Sequence, residues 1–177
     1  AEYSGVSDAT VIRFCKRLGF VGFYQMKLQL SHDFGMRKRP DGSGGTGTAT
    51  DVLYGISQAI GGLSQTLDAD LIMKCVDAIN RSEIVYVVGS GHSRVLANDI
   101  VFRLSRFGLR TMGGSYTEMD IEAVTRGTDK DALICVSHSG ETKRTIQALN
   151  IASIRGMATI AITDSLKNPL AQSADLA

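Results

Sequence analysis

Two short turns rich in glycine and hydroxyl side chains are the residues of this chain best suited to chemistry. Each follows an apolar run and precedes a helical pattern: GSGHS at residues 89–93 and SHSGET at residues 137–142. The first amides of a helix lack intrahelical partners and lie at the positive end of the helix dipole. Glycine lets a backbone approach an anion closely, and hydroxyl groups add donors. The two turns together predict a cradle for a phosphate group.

N-capping is a simpler explanation for part of this pattern. Serine is a common N-cap, so Ser93 and Ser139 could each do no more than start a helix. Capping accounts for one serine in each turn, and it leaves Ser90, Ser137 and Thr142 unexplained. The pattern therefore favours a ligand site.

The charges near the turns indicate which anion would fit. Arg94, Lys143 and Arg144 are close in sequence, but no lysine stands where a P-loop has one, and no Walker pattern is present. The first turn is not a dinucleotide fingerprint either, because Arg94 occupies the place of the third glycine. Neutral hydroxyl donors suit a single phosphate on a small polyol better than a nucleoside triphosphate. We therefore expect a small phosphorylated polyol as ligand and no cofactor.

The elements that must position these turns alternate along the second part of the chain. Apolar strand-like runs at residues 83–89, 131–137 and 157–164 are each followed by a helical pattern. Strands that are apolar on both faces predict a parallel sheet covered on both sides, so the fold class is doubly wound α/β, a flavodoxin-like sandwich. Such sheets bind ligands outside the carboxyl ends of their strands, where both turns fall.

The amino-terminal segment differs from the rest of the chain in charge. Residues 1–40 hold seven basic and three acidic residues, a net charge of +4, whereas residues 41–177 hold 12 basic and 15 acidic residues, a net charge of −3. A basic segment joined to a mildly acidic domain predicts a polyanionic partner for the segment alone. An ordinary solvated face is the alternative.

A short capped helix in this segment indicates what the polyanion is. Ser7 is a suitable N-cap, Asp8 follows in the first turn, and Gly19 ends the helix. One face is apolar and the other is basic, which fits the second helix of a helix-turn-helix. Arg13 could reach a guanine edge or a phosphate. The residues expected to contact DNA are Ser7, Asp8, Ala9, Thr10, Arg13 and Arg17.

A stretch rich in glycine, serine and threonine separates the two parts. Such a composition cannot bury surface and is typical of flexible linkers. We expect a partial helix-turn-helix segment at residues 1–36, a linker at residues 37–50 and an α/β domain at residues 51–177. The chain begins on Ala1 and ends on what looks like the start of a strand, so we expect it to be cut at both ends, with the α/β domain incomplete at its carboxyl end.

The remaining reactive residues form no recognisable site. His32, His92 and His138 are isolated in sequence, so no metal site is predicted. The three cysteines lack paired spacing and are interpreted as buried thiols of a cytoplasmic protein. No apolar run approaches the roughly 18 residues that a membrane span requires, so no membrane partner is expected.

The two turns, each after an apolar strand, resemble the sugar isomerase (SIS) domain family. Their motifs, G-x-G-x-S and S-x-S-G-x-T, are specific as a pair, and the resemblance runs from about residue 69 to the end of the chain. It implies that Ser93, Ser137, Ser139 and Thr142 hold a phosphate, with Ser90 and backbone amides of the second turn assisting. The full predicted site is Gly89, Ser90, Gly91, Ser93, Ser137, His138, Ser139, Gly140 and Thr142.

The amino-terminal sequence GVSDATVIRFCKRLGF, residues 5–20, resembles the helix-turn-helix domain of the RpiR family of bacterial regulators. In that family this domain precedes an SIS domain. The resemblance implies a sugar-phosphate-responsive transcription regulator that binds double-stranded operator DNA. Two-fold operators require paired DNA-binding heads, so we expect a homodimer or tetramer. Residues 1–35 lack supporting helices and are expected to have little core.

Two other functions stay open. A phosphosugar isomerase, which interconverts ketose and aldose phosphates, would need a base near the sugar C1–C2 bond, and Glu118 or Asp120 could supply it. A solvated helix start explains these acids equally well. A phosphosugar-binding module whose amino-terminal segment binds another protein is the third possibility. We prefer the regulator interpretation, which predicts that the protein is not an enzyme and has no catalytic residue.

Overall fold

The structure is a computed structural model that describes residues 7–37 and 49–177. The helices of this part of the chain are α1 Asp8–Arg17, α2 Phe23–Arg37, α3 Ala49–Thr66, α4 Ala69–Arg81, α5 Ser93–Arg106, α6 Thr117–Val124, α7 Lys143–Ile154 and α8 Pro169–Ser173. The strands are β1 Val85–Gly89, β2 Thr111–Gly113, β3 Ala132–Val136 and β4 Ala158–Ile162. The chain divides into two compact units, Ala1–Thr66 and Leu67–Ala177.

The second unit is built on one parallel sheet with strand order β2-β1-β3-β4. Val85 of β1 pairs with Thr111 on one side and with Ala132 on the other. The chain therefore leaves β1 in one direction to form β2 and returns past it to form β3. This reversal places the switch point between β1 and β3, and it confirms the predicted doubly wound α/β fold.

Alternating residues of the central strands bury against two separate layers of helices. Tyr86 and Val88 of β1 join a cluster that includes side chains of α6, α7 and α8. Val85 and Val87 join a second cluster with side chains of α4 and α5. All five residues of β1 and of β3 are buried, because helices cover both faces.

Glycines follow two of the helices at their carboxyl ends, and one of them is the Gly19 that the sequence predicted. Gly19 follows α1 with φ of +86°, and Gly108 follows α5 with the same value. This left-handed conformation strains any residue with a Cβ, so glycine is favoured just past a helix end.

The first unit contains little core. Cys15 of α1 is buried, while large apolar side chains such as Phe14, Leu18 and Tyr24 stay more than half exposed. α1 and α2 contact each other. The small core follows from the scarcity of other described elements in this unit, as expected for residues 1–35.

The predicted linker lies largely outside the described residues, which leave out residues 38–48. Two residues of that prediction, Ala49 and Thr50, belong to α3, and Arg37 belongs to α2. α3 groups with the first unit, whereas the sequence placed residues 51–66 with the α/β domain. That assignment stays a prediction. Within the described ranges, no helix is both long and apolar enough to cross a membrane.

Candidate functional site

The first turn, residues 89–93, brings the start of α5 tightly against the end of β1. A Cβ at Gly89 would lie 2.6 Å from the backbone oxygen of Ser93, so this strand end accepts only glycine without a shift. Gly91 has φ of +57°. The Ser93 amide donates to the Ser90 carbonyl oxygen at 3.1 Å, which closes the turn. Two glycines therefore let the chain reverse from strand to helix within five residues.

The second turn, residues 137–142, is held together by its own hydroxyl groups. Ser137 is buried, and its Oγ accepts a hydrogen bond from the Gly140 amide at 3.2 Å. The same Oγ lies 3.1 Å from Thr142 Oγ1. Gly140 has φ of +63°, and a Cβ there would overlap the side chain of Asn168. Glycine is therefore required at this point of the turn.

The two turns lie beside each other at one edge of the sheet. β1 and β3 are hydrogen-bonded neighbours, and Gly89 at the end of β1 pairs with Val136 at the end of β3. Because both strands run in the same direction, both turns leave from the same edge. The structure thus brings together the two motifs that the sequence predicted to share a ligand.

The serines of the turns are not helix caps. His92 precedes α5 with no side-chain capping bond, and Ser93 is already helical. Thr142 precedes α7 and makes no capping bond through its side chain. Ser139 Oγ accepts from the Glu141 amide at 3.3 Å, inside the turn and before the helix. Capping therefore does not explain these hydroxyl groups.

A cleft of about 260 Å³ opens at the carboxyl ends of β1, β3 and β4. Two predicted site residues, Ser93 and His138, line it, and so does Asp164, which the sequence did not single out. The other lining residues are Leu96, Val136, Ile162 and Thr163. Ser139 and Thr142 belong to the turn at its side and are not part of this lining.

The backbone of His138 is fixed by hydrogen bonds, while its side chain is largely exposed. Its carbonyl oxygen accepts from Thr163 Oγ1 and from the Asp164 amide, both at 3.2 Å. Its imidazole is 88% exposed, with Nε2 3.9 Å from Asp164 Oδ2. The ring stands at the mouth of the cleft, where it can meet a ligand at little cost in rearrangement.

Asn168 supports the second turn, and the sequence analysis missed it. Its side chain is buried, and its Nδ2 donates to Thr163 Oγ1 and to the Ser165 carbonyl oxygen, both at 2.7 Å. Its Oδ1 accepts from the Ala171 amide at 2.9 Å and so caps α8. The Asn-Pro pair at the start of α8 predicts the cap. It does not predict that the same side chain abuts Gly140.

The start of α6 contributes a further hydroxyl group to this edge. Thr117 Oγ1 lies 3.2 Å from Ser90 Oγ and 3.4 Å from the Gly89 carbonyl oxygen. The predicted residue Ser90 therefore faces Thr117. Since the two are 27 residues apart, only the parallel pairing of β1 with β2 brings them together.

The two acids weighed as catalytic bases lie in different environments. Asp120 is 4% exposed, its Oδ1 accepts from the Ser115 amide at 3.4 Å, and burial raises the pKa of its carboxyl group. A solvated helix start therefore does not describe Asp120. Glu118 is exposed, 3.9 Å from an Arg144 guanidinium nitrogen. Neither acid lines the cleft.

The predicted DNA-contacting residues are exposed along α1. Ser7 caps the helix as predicted, with Oγ accepting from the Thr10 amide at 3.3 Å. A shallow groove of about 320 Å³ runs along this helix, lined by Thr10, Arg13, Phe14 and Arg17. The remaining candidates, Asp8 and Ala9, are exposed in the first turn. Thr10, Arg13 and Arg17 therefore share one groove, whereas Asp8 lines a second one with Val11, Ile12 and Phe23.

Two family models match the chain. Residues 1–36 match the helix-turn-helix domain of the rpiR family, and residues 78–177 match the SIS domain. The HTH-type transcriptional regulator CPE0189 of Clostridium perfringens is 31% identical over 185 aligned residues, which cover 99% of this chain and 66% of that protein. An HTH-type transcriptional regulator of Haemophilus influenzae is 26% identical, with 99% and 64% covered. The chain thus spans about two thirds of the length of these relatives.

Solved structures agree with the fold. The sugar isomerase domain of an RpiR transcription factor from Sphaerobacter thermophilus is 34% identical, with a TM-score of 0.58, and the match covers 68% of this chain and 70% of that one. The NanR protein of Vibrio vulnificus, complexed with ManNAc-6P, has a TM-score of 0.73 at 23% identity over 99% of this chain and 63% of that one. The chain belongs to the SIS domain family, as one of its RpiR-type members in which a helix-turn-helix segment precedes the SIS domain.

Proposed function

We propose that this protein is a sugar-phosphate-responsive bacterial transcription regulator that acts in the cytoplasm as a homodimer or tetramer. The observation that carries the proposal is the meeting of two glycine- and hydroxyl-rich turns at the switch point of the sheet, beside an open cleft. A regulator with this architecture binds operator DNA through α1 and its effector through the two turns. Relatives named as transcriptional regulators support the class.

The phosphate group of the effector would bind between the turns. Ser93, Ser139 and Thr142 carry hydroxyl donors there, and the first amides of α7 lie at the positive end of its dipole. Ser137, which is buried and bonded to the Gly140 amide, would shape the turn. The negative charge of the ligand would then be stabilised by hydrogen bonds from uncharged donors and by the dipole of α7.

The sugar would extend into the adjoining cleft. His138 and Asp164 stand at its mouth and offer a donor and an acceptor to sugar hydroxyl groups. Leu96 and Ile162 give the cleft an apolar wall. The NanR protein of Vibrio vulnificus is described with a sugar phosphate, which is the ligand class proposed here.

Operator DNA would be bound by the exposed surface of α1. Arg13 and Arg17 face the same groove, one turn apart, and Thr10 precedes them. Arginine side chains suit both guanine edges and phosphates. The last turn of α1 is basic and its first turn holds a single acid, Asp8.

An isomerase is the alternative, and the pairing of His138 with Asp164 at the cleft is the observation that favours it. These groups could in principle exchange protons with a sugar held there. We propose a sensing role for the site and no turnover. Incubation of the purified protein with ketose and aldose phosphates, followed by NMR, checks this directly, and interconversion at ordinary enzymatic rates would establish the isomerase instead.

Substitution of Arg13 tests the proposal that α1 binds operator DNA. An operator is first selected from random double-stranded DNA with the wild-type protein, and affinity is then measured for Arg13→Ala. We expect a loss of about five- to 150-fold, since a specific arginine contact is worth about 1–3 kcal/mol. Arg81→Ala, an equal charge change at the end of α4, is the matched control.

The control should bind the operator as the wild type does, and binding of the wild type should fall steeply as salt rises. Equal affinity of Arg13→Ala and the wild type would remove α1 as the DNA-binding surface. A salt-independent interaction would point to a protein partner for this segment.

A further inference from the structure

Arg94 is a basic residue at the start of α5, where a helix disfavours positive charge. It is the second residue of the helix, directly after Ser93, and α5 has no acid in its first turn. Because the positive end of the helix dipole lies here, a basic residue lowers stability. In contrast, α1, α4 and α6 each have an acid in the first turn. A residue that breaks this local rule beside a proposed ligand site is a candidate for function.

The side chain of Arg94 is held in place but has no acidic partner. Its guanidinium carbon lies 5.8 Å from the centre of the Tyr116 ring, a cation–π contact. Among the described residues it makes no side-chain hydrogen bond and no ion pair. Asp120 lies nearby: burial raises the pKa of its carboxyl group, and the charge of Arg94 opposes that shift without an ion pair between the two. The hydrogen-bonding edges of the guanidinium therefore stay available to an anion.

The two turns differ in the backbone donors that they can offer to a ligand. At the start of α5, the amides of residues 93–95 donate to the carbonyl oxygens three residues earlier, at 3.1, 3.2 and 3.1 Å. At the start of α7, the amides of residues 143–145 have no such acceptor within the described part of the chain. Open amides suit a phosphate group, which accepts several hydrogen bonds. The first turn has used its amides, so its charged donor is the guanidinium of Arg94.

Arg94 and the second turn serve opposite sides of β1. The Tyr116 ring that Arg94 contacts lies between β2 and α6 in the chain, whereas the second turn follows β3. The strand order β2-β1-β3 separates the ends of β2 and β3 by about 10 Å, since neighbouring strands lie about 4.8 Å apart. An extended sugar chain with a charged group at each end spans a distance of this order. The two places therefore suit two different groups of one ligand.

We propose that Arg94 binds a carboxylate of the effector, so that the effector is a phosphorylated sugar acid. This inference rests on the proposed function, because the phosphate of the same ligand would bind at the second turn. A guanidinium group binds a carboxylate through two parallel hydrogen bonds, which match it in both charge and shape. Ser90 follows β1, between the two ends, and its hydroxyl group lies 3.2 Å from that of Thr117. These two hydroxyl groups can bind the carbon chain between the carboxylate and the phosphate.

Calorimetric titration of the full chain with matched pairs of compounds tests this inference. Each pair consists of a phosphorylated sugar acid and the alditol phosphate of the same length: gluconate 6-phosphate with glucitol 6-phosphate, and ribonate 5-phosphate with ribitol 5-phosphate. The members of a pair differ only in the carboxylate. In at least one pair the acid should bind more tightly than the alditol by about tenfold or more, as expected for hydrogen bonds to a charged group.

Substitutions of Arg94 show whether this residue causes the preference. Arg94→Gln should bind the acid and the alditol with equal affinity, and Arg94→Lys, which keeps the charge but loses the planar fork, should retain only part of the preference. Arg106→Gln is the matched control, because Arg106 lies over the Phe102 ring at the same 5.8 Å, at the other end of α5. It should keep the full preference. If Arg94→Gln fails to fold, an undiminished preference in Arg94→Lys contradicts the assignment.

Two results would overturn the role of Arg94 and leave the proposed function standing. One is an alditol phosphate, or another sugar phosphate without a carboxylate, that binds as tightly as any acid. The other is a preference for the acid that persists in Arg94→Gln. If no sugar phosphate binds at all, with or without a carboxylate, the proposed function fails together with this inference.

Discussion

At the scale of single residues, Asn168 links the candidate phosphate turn to the end of the sheet. Its buried amide bonds Thr163 and Ser165, caps α8 and abuts Gly140. No pattern in the sequence points to this role, because the contact with Gly140 joins residues 28 apart. The hydroxyl residues could be chosen from the sequence, since strand ends and turn composition are local. The side chains that hold these residues in place, such as Asn168, could not be chosen in this way, because they are distant in sequence.

Replacement of Asn168 by alanine should weaken both the fold and the effector site. The variant loses the α8 cap, worth about 1 kcal/mol, and leaves buried groups near Thr163 without their partner. We expect a lower melting temperature and weaker sugar-phosphate binding by calorimetry. Gln172→Ala, at an exposed residue of α8, should change neither. Unaltered binding in Asn168→Ala would mean that the turn keeps its shape without this support.

Asp120 gives a pH-dependent prediction. Burial raises the pKa of its carboxyl group, so the folded protein holds this proton more tightly than the unfolded chain does. Its charged form therefore opposes folding above the folded pKa, and the penalty vanishes as pH falls to the ordinary carboxyl range. Asp120→Asn should melt higher than the wild type at pH 8, with a difference that shrinks toward pH 4. Asp129→Asn, at an exposed loop residue, should show no such trend; a difference that grows on acidification would contradict the sign.

At the scale of secondary-structure elements, the strands that are buried on both faces could be predicted from the sequence. β1 and β3 were predictable because both faces are covered, so their residues are apolar without alternation. α3 was harder to delimit. Glycines interrupt its helical pattern, and the structure gives it the bounds Ala49–Thr66.

Replacing glycine by alanine should have opposite effects on stability in the second turn and in α3. Gly140→Ala must place a Cβ against Asn168 at positive φ, so it should destabilise the protein by more than about 1 kcal/mol and abolish sugar-phosphate binding. Gly62→Ala lies in the interior of α3, where a Cβ meets nothing within 4 Å, and should stabilise the helix by about 0.5–1 kcal/mol. Thermal unfolding of both variants checks the contrast. A tolerated alanine at residue 140 would show that the turn relaxes readily.

At the scale of the whole molecule, two units with different charge and different candidate ligands share one chain. A regulator of this kind needs the effector to favour one arrangement of paired DNA-binding segments, and a ligand shifts such an equilibrium only through its differential affinity. Composition and charge were enough to predict two parts of the chain with different candidate partners.

The most direct test of the account is a thermal-shift panel of sugar phosphates against the full chain. At least one should raise the melting temperature, by about 5 °C at a hundredfold excess over its dissociation constant, while the same sugar without its phosphate should not. The shift should disappear in Ser139→Ala combined with Thr142→Ala and persist in Ser153→Ala, an exposed serine of α7. A sugar phosphate that stabilises the double variant as well as the wild type, or a panel without any response, would contradict a phosphate site at the two turns.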